Sequence, residues 1–153
     1  MVFESMELMD RTGHEAGRQL LKQLCGGNLP EIAVTERGKP YFKEDSRYFS
    51  ISHTKKRAFC VISDCPVGID AEPIDRDINL RLADKILSPR ERQAFEASAD
   101  RRLTLLKLWV LKEAYVKATG EGLRGYPNHT EFSPDDPRVF EFADHIVAII
   151  EMR

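Results

Sequence analysis

The stretch Tyr48-Phe49-Ser50-Ile51-Ser52-His53-Thr54-Lys55-Lys56-Arg57-Ala58-Phe59-Cys60-Val61-Ile62-Ser63-Asp64-Cys65-Pro66-Val67-Gly68-Ile69-Asp70-Ala71-Glu72-Pro73-Ile74 decides the fold class. It holds three β-rich runs in succession, Tyr48 to Ser52, Ala58 to Ser63 and Val67 to Ile74. Lys55-Lys56 separates the first two as a hairpin loop does, and Asp64-Cys65-Pro66 punctuates the second junction. Downstream the pattern turns helical. The region Ile78 to Ala99 is an interrupted helix, restarted at Ser88-Pro89-Arg90-Glu91 by an N-cap serine, a first-turn proline and a capping-box glutamate. A long helix follows from about Asp100 to Thr119 and stops before Gly120 and Gly122. Upstream, Thr12-Gly13-His14-Glu15 has capping-box form and opens a first helix to about Cys25, stopped by Gly26-Gly27. A strand over Ile32 to Glu36, a turn at Gly38-Lys39-Pro40, a loop over Pro127 to Pro137 and a last strand over His145 to Met152 complete the reading. Strands gathered first and helices second predict an α+β fold, not a regular βαβ alternation.

The totals narrow the field. A chain of 153 residues fits a single domain and can bury its own core. A net charge of −2 argues against a dedicated nucleic-acid binder, whose footprint is strongly basic. Cys25, Cys60 and Cys65 show no Cys-x-x-Cys spacing, so neither a disulfide framework nor a thiolate zinc site follows. The first residues mix apolar side chains with Glu4, Glu7 and Asp10, unlike the basic-then-apolar order of a signal peptide. No apolar run reaches membrane-spanning length, and the expected setting is the cytoplasm.

Two stretches carry the chemistry. In a strand, Asp70 and Glu72 project to one face while Ile69 and Ala71 turn inward. Paired carboxylates repel unless a cation or basic partner neutralises them, and Mg²⁺ takes such oxygen ligands together with water and phosphate. The same spacing also suits two exposed acids on an edge strand. On the long helix, Trp109, Glu113 and Lys117 stand four apart and share a face. Trp109 anchors that face, and Lys117 either pairs with Glu113 or reaches a phosphate. Lys39 in its turn, and Ser52-His53-Thr54 after a strand, offer further phosphate donors. No glycine-framed nucleophile elbow surrounds Ser52.

Four motifs occur in order: Gly38-Lys39-Pro40-Tyr41-Phe42, Phe49-Ser50-Ile51-Ser52-His53-Thr54, Gly68-Ile69-Asp70-Ala71-Glu72, and Trp109-Val110-Leu111-Lys112-Glu113-Ala114-Tyr115-Val116-Lys117. Their series resembles the phosphopantetheinyl transferase superfamily, of the surfactin-synthetase-activating type, from about Glu36 to Leu123. The resemblance implies one domain over 1–153 with two similar halves, a shortened one over about 1–66 and a second over about 67–153, and an active site in the cleft between them.

It further implies transfer of phosphopantetheine from coenzyme A to a serine of an apo carrier protein. By motif, Asp70, Glu72 and Glu113 hold Mg²⁺, which Mn²⁺ can replace. Lys117 contacts phosphate or the attacking group, and Glu113 is the candidate base. Lys39 and Pro40 line the nucleotide site, and Ser52 and His53 meet its phosphates. Arg76, Arg81, Lys85, Arg90 and Arg92 are candidates for docking the carrier, alongside ordinary helix-surface pairing. The first half is shorter than in larger members, Thr54 stands where serine is usual, and Ala71 replaces a larger aliphatic residue. Arg11 and Arg18 are candidates to bind the nucleotide in place of residues that the longer first half supplies in larger members. The chain is expected to be a monomer or a weak homo-oligomer, with neither nucleic acid nor membrane as partner. The rival readings are a non-catalytic coenzyme A or carrier binder and a metal-dependent phosphate-ester hydrolase.

Overall fold

A computed structural model describes residues 1–121 and 130–153. Strand β1 (Val2–Glu7) leads into helix α1 (Gly13–Leu24), then β2 (Ile32–Val34), β3 (Pro40–Phe42), β4 (Tyr48–His53), β5 (Arg57–Ser63) and β6 (Val67–Pro73). A 3₁₀ turn at Leu80–Leu82 precedes α2 (Ala83–Ile86), α3 (Pro89–Ala97) and the long α4 (Arg101–Thr119), and β7 (Val139–Phe142) and β8 (His145–Glu151) close the order. This is the α+β class expected from the sequence. The runs expected to be strands and long helices form as such, with ends shifted by a residue or two. Strands β1, β3 and β7 are additions, and part of the loop expected from Pro127 lies outside the described residues.

Two three-stranded antiparallel sheets dominate, ordered β1-β5-β4 and β6-β8-β7, with a β2–β3 ribbon beside them. Each large sheet has the same plan. A first strand is followed by a helical crossover and a hairpin, and the last strand inserts between the other two. Helix α1 packs on the first sheet through Ala16, Leu20 and Leu21 against Phe49, Ala58, Cys60 and Ile62. Helix α4 covers the second sheet through Leu108, Leu111, Ala114 and Ala118 against Ile146, Ala148 and Ile150. Between the sheets lies a third core, where Phe59 and Val61 meet Val67, Ile69, Ala71, Val147 and Ile149. The layers therefore run helix, sheet, sheet, helix. This explains why β5 and β8 read as unbroken apolar runs: both faces of each middle strand are buried.

The same layering fixes where β6 points its side chains. Ile69 and Ala71 enter the inter-sheet core, as the strand period predicts, so Gly68, Asp70 and Glu72 face α4. A Cβ on Gly68 would overlap the Ala114 carbonyl oxygen and crowd the Ala118 amide, so only glycine lets α4 settle this close.

Caps define the helix ends. Thr12 Oγ1 accepts from the Glu15 amide, Ser88 and Glu91 form a reciprocal capping box, and Gly120 ends α4 in the left-handed conformation. Both ends of the chain meet the connection from β5 to β6: Val2 pairs with Ile62, Glu151 pairs with Val67, and the Met152 amide donates to Pro66 O.

Candidate active site

Strands β4 and β6 are edge strands of different sheets that run side by side. They do not share a backbone ladder here. Ser50 Oγ accepts from the Ile69 amide at 3.1 Å and Ser52 Oγ from the Ala71 amide at 3.2 Å, so two serine hydroxyls satisfy the outward amides of β6. No sequence motif singles out Ser50 alone; its alternation with Ser52 is the signal, because side chains two apart share a face.

Asp70 lies on this seam, buried beneath α4. The pair of exposed edge-strand acids considered from the sequence is thereby excluded for Asp70, because α4 covers the face on which it stands. Asp70 Oδ1 receives Lys117 Nζ at 3.3 Å and Ser52 Oγ at 3.5 Å. Asp70 Oδ2 is buried with no hydrogen-bond partner, a costly arrangement for a carboxylate. Burial pushes the Asp70 carboxyl up to about 7; the Lys117 ammonium opposes that rise, and the charges of Glu113 and Glu72 add to it.

Lys117 is the tie across the seam. Its ammonium donates to Ile69 O at 2.9 Å on β6 and to Ile51 O at 3.4 Å on β4, besides its contact with Asp70. Trp109, two turns earlier on α4, packs against the second core as expected. Glu72 is turned to Arg76 at 2.6 Å. Among the described residues, the one group of three metal-ligating side chains with ligand atoms within 4.8 Å of each other is Asp64, Cys65 and Glu151, at the other end of the strands. The Arg76 contact engages Oε1 of Glu72, and a carboxylate offers a second oxygen to a cation.

Two openings flank the seam. One, of about 240 Å³, is lined by Gly38, Lys39, Pro40, Ser50, Ile51 and Lys117. Lys39 Nζ donates to Ala118 O at 3.0 Å, against the carbonyl end of α4, and desolvation lowers its pKa. The other, a cleft of about 680 Å³, opens where β4 and β6 end and is lined by Lys55, Lys56, Arg57, Pro73, Ile74 and His145 among others. The non-glycine residues with left-handed backbone among those described, Met9, Ala143 and Asp144, all border this cleft. His53 stands beside it near Gly13, away from the Lys39 pocket.

The structure thus brings Asp70, Lys117 and Ser52 into contact, puts Glu72 and Glu113 within electrostatic reach of Asp70, and places Lys39 and Pro40 in the pocket that Lys117 enters. Ser52 is buried and bonded to Asp70 and β6, so its hydroxyl serves the acid rather than open space. Arg11 is occupied by Gln19 and by the carbonyls of Glu7 and Leu8. Among the proposed docking cations, Arg76 pairs with Glu72 and Arg92 with Asp84 and Glu96, while Arg81, Lys85 and Arg90 are exposed.

A buried, unpartnered carboxylate oxygen with a lysine and two more acids around it is an arrangement for a hard cation and a phosphorylated ligand. The chain belongs to the 4'-phosphopantetheinyl transferase superfamily, whose family model matches residues 66–147. It is similar to the 4'-phosphopantetheinyl transferase gsp of Aneurinibacillus migulanus, 36% identical over 102 residues, which are 63% of this chain and 42% of that protein. It is also similar to the 4'-phosphopantetheinyl transferase HetI of Nostoc, 32% identical over 122 residues, 71% of this chain and 52% of that protein. A putative 4'-phosphopantetheinyl transferase of Haemophilus influenzae is 30% identical over 139 residues, 85% of this chain and 58% of its own length. The chain spans about half the length of these curated relatives. Among the described residues no helix is long and apolar enough to cross a membrane.

Proposed function

We propose that this chain moves the 4'-phosphopantetheine group of coenzyme A onto a serine of an apo acyl, peptidyl or aryl carrier protein, releasing 3',5'-ADP. The observation that carries the reading is Asp70 Oδ2, buried without a partner on the seam where Lys117, Glu72 and Glu113 converge. The working unit is a single domain whose halves meet near residues 66–67, with the site in the seam between them.

Asp70, Glu72 and Glu113 fit a divalent cation, because an orphaned buried oxygen raised in pKa by burial, and further by neighbouring acids, gains from positive charge. Mg²⁺, or Mn²⁺ with the same oxygen preference, supplies neutralisation of pyrophosphate charge when bound. The side chains do the rest. Lys39 and Pro40 receive the nucleotide in the smaller pocket, and His53 and Lys117 contact phosphate. Ser52 holds Asp70 in place. Glu113 takes the proton of the carrier serine as its oxygen attacks the phosphorus carrying pantetheine. A new serine O–P bond forms as the bond to the 3',5'-ADP oxygen breaks. Arg81, Lys85 and Arg90 face an acidic carrier surface. Free thiols at Cys25, Cys60 and Cys65 fit a reducing cytoplasm, and a monomer or weak homo-oligomer suffices.

Intact-mass spectrometry of an apo-carrier panel, incubated with this protein, coenzyme A and Mg²⁺, tests the proposal. The expected result is one phosphopantetheine added per carrier, abolished by EDTA. Coenzyme A binding with unmodified carriers would replace the transferase with a binder, and free phosphopantetheine without carrier modification would make it a hydrolase.

A further inference from the structure

We infer that Thr54 and His145 are positioning residues: a half-buried hydrogen bond between them joins the two halves beyond the acid cluster and fixes His53 in its place. The inference rests on the transferase reading for the role of His53, and on geometry alone for the tie itself.

Thr54 Oγ1 and His145 Nε2 are 2.9 Å apart, although 91 positions separate them in the chain. His145 Nδ1 lies 2.7 Å from the carbonyl oxygen of Ala143. A carbonyl only accepts, so Nδ1 carries the proton and Nε2 accepts from the Thr54 hydroxyl. The same hydroxyl accepts from the Lys56 and Arg57 amides at 3.2 and 3.3 Å. Its one proton and both lone pairs are thus committed. The imidazole is buried and edge-on to Phe59, with ring centroids 5.2 Å apart, so the ring cannot turn without disturbing the inter-sheet core.

Each end of the tie sits next to a site residue. Thr54 follows His53 directly, and its amide closes the β4–β5 turn on Arg57 O at 2.9 Å. His145 is the register partner of Pro73, one step past the Glu72–Ile146 pair. The bond therefore sets the separation between the wall that carries His53 and the wall that carries Glu72. A second contact seats the exposed His53 ring. Any Cβ at Gly13, the first residue of α1, would overlap the His53 ring, so the glycine is the seat of that ring. Thr54 positions the backbone of His53 and Gly13 admits its side chain.

The test compares Thr54→Val, Thr54→Ser, His145→Phe and the Thr54→Val/His145→Phe double variant in two assays. In the first, carrier modification is followed against coenzyme A concentration. Thr54→Val and His145→Phe should each lower kcat/KM for coenzyme A about tenfold or more, chiefly through KM, because a displaced phosphate contact weakens binding. Thr54→Ser should stay within about twofold of the parent, and the double variant should lose no more than the worse single one. The second assay needs no substrate: histidine side-chain nitrogen NMR of the parent and of Thr54→Val. The His53 ring resonances should move in the variant, and His145 should lose its accepting Nε2 signature. Unmoved His53 resonances, or losses that add in the double variant, overturn the inference. A parent protein that transfers nothing would sink the transferase reading, while the resonances would still decide the tie.

Discussion

Gly68 lies directly beneath Ala114, and a side-chain carbon on the glycine would occupy the space of the Ala114 carbonyl oxygen. The obstacle is helix backbone, which cannot swing aside. Gly68→Ala should therefore lift α4 from β6 and cost about 1–3 kcal/mol, the usual range of overpacked cores. Thermal unfolding should show a Tm lower by several degrees at least. Transfer should fall as well, because Lys117 rides on the displaced helix. An unchanged Tm would show that α4 does not rest on this residue.

Asp70→Asn separates stability from function. The buried carboxylate is held up to about 7 by burial and by its acidic neighbours, with Lys117 offsetting part of that rise. Neutralising it should raise the stability of the metal-free protein at pH 8 by about 1–3 kcal/mol. Transfer should drop at least about a hundredfold, and added Mg²⁺ should raise the Tm of the parent but not of the variant. A variant that keeps its transfer rate would remove Asp70 from the site.

Lys112 and Glu91 form an ion pair at 2.7 Å, with side chains 2% and 1% exposed. Glu91 also accepts from the Ser88 and Phe132 amides, and Lys112 donates to Thr130 O, so the pair fastens α3, α4 and the chain before β7 together. Lys112→Met should cost about 3–5 kcal/mol, because it leaves a charged Glu91 buried beside it. Adding Glu91→Gln should restore part of the loss in denaturant unfolding. A double variant as unstable as the sum of the singles would show that the two charges are not coupled.

Arg138 forks onto Asp136, with contacts at 3.0 and 2.8 Å, and this hydrogen bonding holds the Asp136 carboxyl below the usual range. For an acid depressed on folding, the stabilisation is complete above its unfolded pKa of about 3.9 and fades as pH falls through the folded value. The parent should therefore lose up to about 1 kcal/mol relative to Asp136→Asn on acidification below pH 4. Parallel pH–stability curves for the two proteins would contradict this.

Lys85 and Arg90 are exposed near α2 and α3, whereas Arg92 is tied to Asp84 at 2.6 Å and to Glu96 at 3.2 Å. Lys85→Glu/Arg90→Glu should slow modification of the carrier several-fold at low salt, with coenzyme A affinity unchanged. Equal carrier kinetics would move the docking face elsewhere.

Much of this architecture is legible in the chain because its signals are local. Caps at Thr12 and Ser88, the left-handed stop at Gly120 and the apolar runs around Phe59 and Ile69 each announce their element within a few residues. Strand β1 escapes because Glu4 and Glu7 interrupt its apolar side chains; pairing with β5 holds it. Strand β7 escapes because it is short and lies at an edge. The shared direction of Asp70 and Glu72 follows from strand period, but burial of Asp70 depends on α4 arriving over Gly68 from more than forty residues away. The bonds of Ser50 to β6 and of Thr54 to His145 depend on how two sheets meet, which no local pattern encodes.

The pairing of Val2 with Ile62, of Glu151 with Val67 and of Met152 with Pro66 gathers both ends of the chain at one pole of the molecule. The large cleft opens at the other pole, beside Arg57, Pro73 and His145. Polypeptide attached at either end therefore emerges a full strand length from the entrance. Surface immobilisation or a tether to another protein can use either end and leave the entrance clear. The nearness of the two ends also makes them natural points to join if new ends are opened at Asp64–Pro66.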